Sequence, residues 1–480
     1  MTLAFLGIII SLALLITLAY RGHSVIYAGP ISAMVAVIFA GAPLLASYTQ
    51  IFMPAFGRFM IVFFPLFLTG AIFGRLMTLS GYADDLARWI SSGLGVQRAI
   101  LATVVATALL TYGGVSAWVI AFTIYPISVA LFKEAGIPKR LMPAAIALGI
   151  FTFATAALPG SPQIHNAIAA RYFSTTTFAA PVLGIIGAIV TFSLGYAWLV
   201  WRQKQLIARG EVFETTLDPV GRQKAEALLE ASEQGDDLSG VRHTDSGTIL
   251  RRGFIGVLPV LTVVLVNAFM TYAVPAMVDF GYLSEAQYGA TNINQVIGVW
   301  SVIASLVAAI VLIFLMQTHN ARTYIEGLSE GAKNSVVPVF STASEVGYGA
   351  VIASLPVFAL IKAGLFGISQ NPLIVAAVAT GGIAGLTGSA AGGLTITLNS
   401  IGAELTRMAV EQGISLEILH RVTAMAAVSF DSLPHNGAII TLLVVCGLTH
   451  RDSYKDIGVV TVIVPLIGLL VVLGLGLLMN

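Results

Sequence analysis

Long apolar stretches recur along the whole chain, and they constrain its fold more than any other feature. Ten of them approach or exceed the roughly 20 residues that an α-helix needs to cross the hydrocarbon core of a bilayer. They lie at residues 2–20, 24–40, 57–79, 141–157, 176–200, 253–274, 295–316, 335–363, 421–447 and 457–479. Two further apolar stretches, 99–132 and 372–399, are interrupted by glycine. The sequence therefore predicts an all-α integral membrane protein with about 10–12 spans.

Composition supports the same class. Of the 480 residues, 57% are hydrophobic and only 10% are charged, and the mean hydropathy of +0.91 lies outside the range of soluble domains. The net charge of +1 gives no reason to expect a nucleic-acid partner. Because Cys446 is the single cysteine, it forms no intrachain disulfide and no cysteine-based metal cluster. We predict no cofactor, no metal and a multi-pass location in the cell membrane.

Two related halves are indicated by landmarks that recur in the same order. The pattern P-x-F-x-T-x4-G begins at Pro65 and again at Pro338. A Leu-Pro pair opens a polar break at Leu158 and again at Leu433, which is nearly the same separation along the chain. Between these landmarks each half carries one of the two glycine-rich interruptions. The nearly constant spacing predicts an internal repeat. Its offset is the separation along the chain between Pro65 and Pro338.

Basic residues then orient the halves, because Lys and Arg are enriched on the cytoplasmic side. With the N-terminus outside, most Lys and Arg residues fall inside; Arg171 and Arg407 are exceptions. In that orientation the stretch 99–132 enters from the inner face and 372–399 from the outer face. The prediction is a pair of inverted-topology repeats with re-entrant hairpins, an arrangement typical of secondary transporters.

One long polar segment, 202–252, separates the halves with 8 Lys or Arg and 9 Asp or Glu residues. Its balanced charge indicates a solvated cytoplasmic linker rather than a lipid-binding patch, and residues 216–234 could form a short amphipathic helix within it. The resulting division is a first membrane repeat, 1–201, with its hairpin at 99–132 and broken helix at 141–175; the linker, 202–252; and a second membrane repeat, 253–480, with its hairpin at 372–399 and broken helix at 421–447.

Broken helices persist in a membrane only where they face protein or a watery cavity, since unpaired backbone groups are costly in hydrocarbon. Four breaks at matching positions of two halves therefore indicate a binding site. Helix N-termini at such breaks suit a carboxylate, so the expected ligand is a small organic anion. The predicted substrate-binding residues are Gly113, Gly114, Ser116, Ser161, Gln163, His165, Asn166, Thr387, Gly388, Ser389, His435 and Asn436. For each single glycine, close helix packing is the competing interpretation.

Ionisable side chains at membrane depth are costly and usually functional. Asp431, His435 and Glu345 are the candidates for carrying a coupling ion. Asp431 and His435 are four residues apart and would share a face if that segment were helical. Glu345 has Ile72 as its counterpart at the offset of the repeated P-x-F-x-T pattern. A structural hydrogen bond is the alternative role for each of them.

Other classes of protein fit the sequence less well. There is no G-x-x-x-x-G-K-[ST] loop for ATP, which leaves an ion gradient as the energy source. No spacing supplies an oriented base for Ser389 or His435 as in an intramembrane enzyme, so we predict no catalytic residues. A passive channel remains an alternative, and it predicts flux without accumulation.

Several motifs resemble the gluconate permease family of bacterial carboxylate symporters, in particular its hydroxybutyrate permease branch. They are the stretches 110–116, 136–141, 157–166 (ALPGSPQIHN) and 430–437 (FDSLPHNG), and the likeness covers nearly the whole chain. The resemblance implies a homodimer in the bacterial inner membrane, with a fixed scaffold domain and a mobile domain that carries both hairpins. It also implies an elevator mechanism.

The substrate expectation follows from a difference within that family. Gluconate-specific members carry a His-Pro-Gly-Pro version of the first broken helix, whereas this chain reads LPGSPQ at 158–163. The resemblance therefore favours proton-driven import of a short hydroxy monocarboxylate such as 3-hydroxybutyrate. Sodium coupling and a gluconate or other sugar-acid substrate remain the alternatives.

Overall fold

The computed structural model describes residues 2–21, 23–213, 246–318 and 321–479. Within these ranges the chain is all-helical and contains no β-strand, which confirms the predicted class. Nine helices of nine residues or more precede the gap at 214–245: α1 Thr2–Tyr20, α2 Val25–Ala40, α3 Leu44–Leu79, α4 Tyr82–Leu94, α5 Ala99–Tyr112, α6 Ala117–Glu134, α7 Met142–Ile150, α8 Ile164–Phe173 and α9 Pro181–Ala208.

Nine helices of this length also follow the gap among the described residues. They are α10 Ser246–Tyr272, α11 Ile293–Met316, α12 Ala321–Ser354, α13 Phe358–Ile368, α14 Pro372–Thr387, α15 Ala390–Glu411, α16 Leu416–Phe430, α17 Gly437–Val445 and α18 His450–Leu478. The starts of α5 and α14, of α6 and α15, and of α8 and α17 are each separated by the same offset as Pro65 and Pro338. The helix order thus repeats in step with the sequence landmarks. The opposite orientation of the two halves in a membrane stays a prediction.

Six helices among the described residues are long and apolar enough to cross a bilayer, which makes the chain a multi-pass membrane protein. They are α3, α9, α10, α11, α12 and α18. A further pair, α4 and α5, passes the same test together but bends by 106° at its break. Because the remaining apolar helices are shorter, several of the ten predicted spans are built from shorter or interrupted helices.

Two local features of the structure were not predicted. The stretch 335–363 was expected to be one span, but α12 ends at Ser354 and α13 begins at Phe358. Pro356 lies in this break, where its ring disfavours helical backbone at the preceding residue and it has no N–H to donate. Helix α4 was not predicted, because it has a polar face and so contains no long apolar stretch.

The predicted linker is shorter at both ends than 202–252. Helix α9 continues to Ala208, and α10 already begins at Ser246. Residues 214–245, which include the predicted helix at 216–234, lie outside the described residues. Arg202, placed in the polar linker by its charge, is instead buried in α9 because its guanidinium pairs with Asp456 of α18.

The Arg202–Asp456 pair joins the last helices of the two halves. The Arg202 Nε and Asp456 Oδ1 atoms are 2.8 Å apart, and the side chains are 4% and 0% exposed. The Trp198 indole donates to the same Oδ1 at 3.1 Å. The carboxylate is therefore held by two side chains of α9.

Replacing Arg202 by methionine is expected to lower the stability of the folded protein by about 3 kcal/mol, because Asp456 would remain buried without its cation. The measurement is the temperature at which detergent-purified protein loses its monodisperse elution peak. Arg209→Met is the control, since Arg209 is exposed at the end of the same helix. Equal stability of the two variants would contradict the prediction.

Buried apolar side chains among the described residues form two clusters. The larger one includes the hairpins and broken helices of both halves. The smaller one is made by α1, α2, the start of α3 and the C-terminal part of α12. Along α12, Ala343 and Val346 belong to the larger cluster, whereas Tyr348 and Val351 belong to the smaller one. Helix α12 therefore passes from one cluster to the other near residue 347.

Candidate functional site

Both predicted hairpins have short, non-helical tips. Between α5 and α6 the tip consists of residues 113–116, and Gly114 has a φ of +90°. Between α14 and α15 it consists of Gly388 and Ser389, and Gly388 has a φ of +65°. Glycine reaches these left-handed conformations without the steric cost that a side chain brings. These two glycines therefore permit the sharp turns.

The N-caps of the second hairpin arms differ between the halves. Ser389 caps α15, because its hydroxyl accepts a hydrogen bond from the Gly392 N–H at 3.1 Å. Ser116 occupies the same position before α6 but makes no side-chain cap. The first turn of α6 thus keeps the backbone donors that a helix N-terminus presents.

The first broken helix is tied to the first hairpin tip. Helix α7 ends at Ile150, and α8 begins only at Ile164. Gln163, at the N-cap of α8, donates from Nε2 to the Thr111 carbonyl at 2.7 Å and to the Val115 carbonyl at 3.4 Å. The Tyr112 hydroxyl donates to the Pro159 carbonyl at 2.8 Å. Side chains of the break and of the hairpin tip therefore donate to each other's backbone carbonyls.

The second broken helix makes a matching connection. Helix α16 ends at Phe430 and α17 begins at Gly437. The Asn436 Oδ1 atom caps α17 by accepting from Ala438 N at 2.7 Å and Ile439 N at 2.9 Å. Its Nδ2 atom donates to the Gly388 carbonyl at 2.9 Å and to the Asp431 carbonyl at 3.0 Å. One amide thus joins the break to the second hairpin tip.

Gln163 and Asn436 are equivalent positions of the repeat. The offset that relates them along the chain also relates their carbonyl acceptors, Val115 and Gly388. Each half therefore holds a side-chain amide that bridges from the start of its second half-helix to the tip of its own hairpin. This pairing was not expected from the sequence, although both residues were predicted to lie at the site.

Contacts between the halves follow the same symmetry. Helix α8 packs against α15, and its counterpart α17 packs against α6, the counterpart of α15. Helix α8 also packs against α16. The second half-helix of each half therefore lies against the second hairpin arm of the other half. The four breaks belong to one interlocked set of helices.

Arg421 is a buried cation at this junction that sequence reasoning missed. It lies in α16, is 0% exposed, and its guanidinium donates into the break of the other half. Its acceptors are the carbonyls of Ala156, Thr177 and Ala179 and the side-chain oxygen of Asn166. Arg421 is the first residue of the predicted stretch 421–447, and no role was predicted for it. The available signal was the apolar content of the stretch that follows it and of Ile418 and Leu419 before it.

Two of three predicted residues at the first break are held by hydrogen bonds to neighbouring groups. Ser161 is fully buried and donates to the Ala154 carbonyl at 2.7 Å. Asn166 is also fully buried, and its Nδ2 donates to the Thr155 carbonyl at 3.2 Å. His165 lies in the first turn of α8 with its Nδ1 buried and unpaired. Of these three, His165 keeps an unused hydrogen-bonding atom.

Asp431 and His435 do not share a helix face, because residues 431–436 are not helical. Asp431 is the C-cap residue directly after α16, is 7% exposed and accepts from the Ser432 hydroxyl at 2.8 Å. The His435 ring lies against Gly388 at the hairpin tip, with Nε2 buried and unpaired. The hydroxyl of Thr387 bonds back to the Ile383 carbonyl of its own helix at 2.9 Å. The two ionisable groups therefore face different neighbours.

Glu345 lies at the same tip from a different direction. It projects from α12, is 6% exposed, and its carboxyl packs against Gly392 in the first turn of α15. Among the described residues, no three His, Cys, Asp or Glu side chains are grouped as metal ligands. The arrangement brings together helix N-termini, amides and isolated acids, a set suited to a small anion and a monovalent cation.

Comparison with known proteins identifies the family of this chain. Over 462 residues, which are 95% of this chain and 95% of the other, it is 38% identical to YxjC of Bacillus subtilis (strain 168), an uncharacterized transporter. The chain belongs to the YxjC family. A second relative is an uncharacterized transporter of Haemophilus influenzae (strain ATCC 51907 / DSM 11121 / KW20 / Rd). It is 31% identical to this chain over 143 residues, which are 30% of this chain and 32% of that protein. No protein-family model matches the chain.

Proposed function

We propose that this protein is a secondary active transporter that imports a small organic carboxylate together with protons. Membership of a transporter family and the multi-pass helical fold support transport as the function. The resemblance to gluconate permeases supports the symport, the carboxylate and the elevator movement. Within that class we propose a short hydroxy monocarboxylate such as 3-hydroxybutyrate.

The observation that carries the proposal is the repeated amide bridge at the breaks. Gln163 and Asn436 each hold the start of a half-helix beside a hairpin tip. The N-termini of α6 and α8 have no side-chain cap, so they present backbone N–H groups and partial positive charge to an anion without a free cationic side chain. In this proposal Ser116, Ser389 and His435 contribute further polar contacts to the carboxylate and hydroxyl groups.

The coupling ion is proposed to be a proton, with Asp431, His435 and Glu345 as its carriers. Buried acids without a cationic partner are suited to bind protons. Sodium coupling is the second candidate, because unwound carbonyls and hydroxyls also bind Na⁺. The protein is proposed to act as a homodimer in the bacterial inner membrane, with the lipid bilayer and the organic anion as its partners.

Proteoliposomes test the function directly. Uptake of labelled 3-hydroxybutyrate would be measured in sodium-free buffer after the outside of the vesicles is made more acidic than the inside. We expect accumulation above equilibrium that a protonophore abolishes. Accumulation that requires sodium would replace the proton by Na⁺, and equilibration without accumulation would indicate a channel. A thermal-shift series with hydroxy, keto and sugar acids identifies the preferred substrate, because a ligand that binds the folded state raises its stability.

Asp431→Asn is expected to abolish proton-driven accumulation while it leaves exchange of labelled for unlabelled substrate measurable. The amide cannot release a proton, but it keeps the size of the carboxyl and an oxygen that accepts from Ser432. The control is Asp279→Asn, at an exposed loop residue whose carboxylate accepts from the Gly281 N–H. Normal accumulation in Asp431→Asn would remove this residue from the coupling role.

A further inference from the structure

Glu345 stands where α12 passes between the two apolar clusters. The preceding Ala343 belongs to the larger cluster with the hairpins, and the following Tyr348 belongs to the smaller cluster with α1 and α2. Next to Glu345, the Ser344 hydroxyl donates to the Val25 carbonyl of α2 at 3.0 Å. Glu345 therefore lies on a helix that is anchored to α2 and faces a hairpin that belongs to the other cluster.

The carboxyl group fills a space at the tip of the second hairpin. A Cβ atom at Gly392 would overlap the Glu345 Oε2 atom, and the Ser389 hydroxyl lies beside the same carboxyl. One turn further along, Gly349 of α12 packs closely on Ile396 of α15. The two helices thus approach each other through glycines, and the carboxyl sits at the end of α15 that forms the tip.

The carboxyl has no charged partner among the described residues. Its Oε2 atom is buried without a hydrogen-bond partner. Titratable groups on α12 and on the helices packed against it interact with other residues. On α12 itself the pairs are Arg322 with Glu326, Tyr324 with Phe314, Glu330 with Arg75 of α3, and Tyr348 with Ser11. On the neighbouring helices they are Tyr27 with His23, Tyr48 with Phe52, Arg58 with Tyr172, Lys362 with Phe366, and Glu404 and Glu411 with Arg407. Lys333 is on an exposed part of α12. Since an unpaired carboxylate is costly to bury, this conformation accommodates the neutral acid.

We propose that Glu345 is a proton-binding latch that holds the tip of the second hairpin against α12. With the proton bound, the neutral carboxyl stays packed between Ser389 and Gly392. When the O–H bond breaks, the proton passes to water and the carboxylate must reach water as well, so the tip separates from α12. The latch rests on the proposed function in one respect, which is that its proton is the coupling proton.

The latch belongs to the second half alone. The residue equivalent to Glu345 in the first repeat is Ile72, which cannot bind a proton. In the first half, Gly74 of α3 packs near the Ser116 backbone instead. The two hairpins would therefore respond differently to pH, and only the second would open on proton loss.

A thiol at the tip reports its separation without any substrate. Ala391, 9% exposed in the first turn of α15, is replaced by cysteine in a Cys446→Ala background. Its labelling rate by a maleimide is measured in proteoliposomes from pH 5 to pH 8, with Glu345 and with Glu345→Gln. The labelling rate with Glu345 is divided by the rate with Glu345→Gln at each pH. This ratio removes the pH dependence of the thiol itself. Leu386→Cys, 48% exposed in the same hairpin, is the matched reporter that tests for misfolding.

We expect the ratio for Ala391→Cys to be near one at low pH and to rise about tenfold as the pH increases, because each pH unit changes the ratio of charged to neutral acid tenfold. Leu386→Cys should label equally in both backgrounds. Gly392→Ala, which places a methyl group where the carboxyl lies, should give fast labelling already at pH 5. Gly382→Ala, at a site with no neighbour within 4 Å, should not.

A ratio that stays at one across the range overturns the latch, and so does slow labelling of the Gly392→Ala protein at pH 5. Failure of the proposed function is separate from this result. If labelling follows the expected course but no acid accumulates on a proton gradient, the latch stands and the coupling role falls. If accumulation occurs while the ratio stays flat, transport stands and the latch falls.

Discussion

Replacing Arg421 by methionine is expected to remove most of the folded protein. The guanidinium is 0% exposed and connects α16 to the carbonyls of Ala156, Thr177 and Ala179. Methionine fills a similar volume but donates nothing, so the Ala156 and Ala179 carbonyls lose their donor. The Thr177 carbonyl keeps the Gly160 N–H, and the Asn166 oxygen keeps only its 3.4 Å contact with the His420 ring. Since each unpaired buried acceptor costs about 1–3 kcal/mol, the combined loss of roughly 5 kcal/mol approaches the whole stability of a typical protein.

The measurement is the yield of monodisperse protein after detergent extraction at low temperature, followed by heating. Arg407→Met is the matched control, because Arg407 is exposed and pairs with Glu404 and Glu411 on its own helix, and exposed pairs contribute about 1 kcal/mol or less. Arg421→Lys should lie between the two, since one ammonium group cannot reach all the acceptors. Wild-type yield for Arg421→Met would show that the network is dispensable.

Asn436→Asp is expected to stop transport while the protein stays folded. The new carboxylate still caps α17, because its oxygens accept from Ala438 and Ile439 as the amide oxygen does, and Asp caps helices as well as Asn. It cannot donate to the Gly388 carbonyl, and it brings a negative charge to a site proposed for an anion. A like charge at that place costs several kcal/mol, so uptake should fall at least about 100-fold.

The control for this change is Asn292→Asp at the N-cap of α11. Asn292 accepts from the Gln295 N–H through its side-chain oxygen, so the same replacement keeps a cap far from the hairpins. Its uptake should match wild type. Gln163→Glu is the equivalent change in the first half, where the lost donor serves Thr111 and Val115. Normal uptake in Asn436→Asp would place the anion elsewhere.

The class of fold and the position of the breaks could be predicted from the sequence. Apolar length predicts membrane helices, and Pro159 and Pro434 mark breaks because proline cannot donate to a helix. The glycines before α6 and α15 mark tight tips for a different reason, since glycine adopts left-handed backbone conformations without steric cost. These signals are local, since they depend on residues within one or two turns of the feature that they predict.

The partners across the breaks could not be predicted. Arg421 reaches Ala156, 265 residues away, and no periodicity in the sequence relates the two. Gln163 and Asn436 were selected as polar residues, but their common acceptor position became visible only with the carbonyls in place. The split of 335–363 at Pro356 was missed because apolar length outweighed a single proline.

The position of Arg421 bears on how the chain is made. By the time a ribosome reaches this residue, the first broken helix has long been synthesised, yet the carbonyls of Ala156 and Ala179 still lack the donor that the finished protein gives them. The N-terminal half is therefore incomplete as an independent unit during insertion. Its broken helix can become fully ordered only late in biogenesis, and expression of the two halves as separate polypeptides should yield a stable N-terminal half only when the C-terminal half is present.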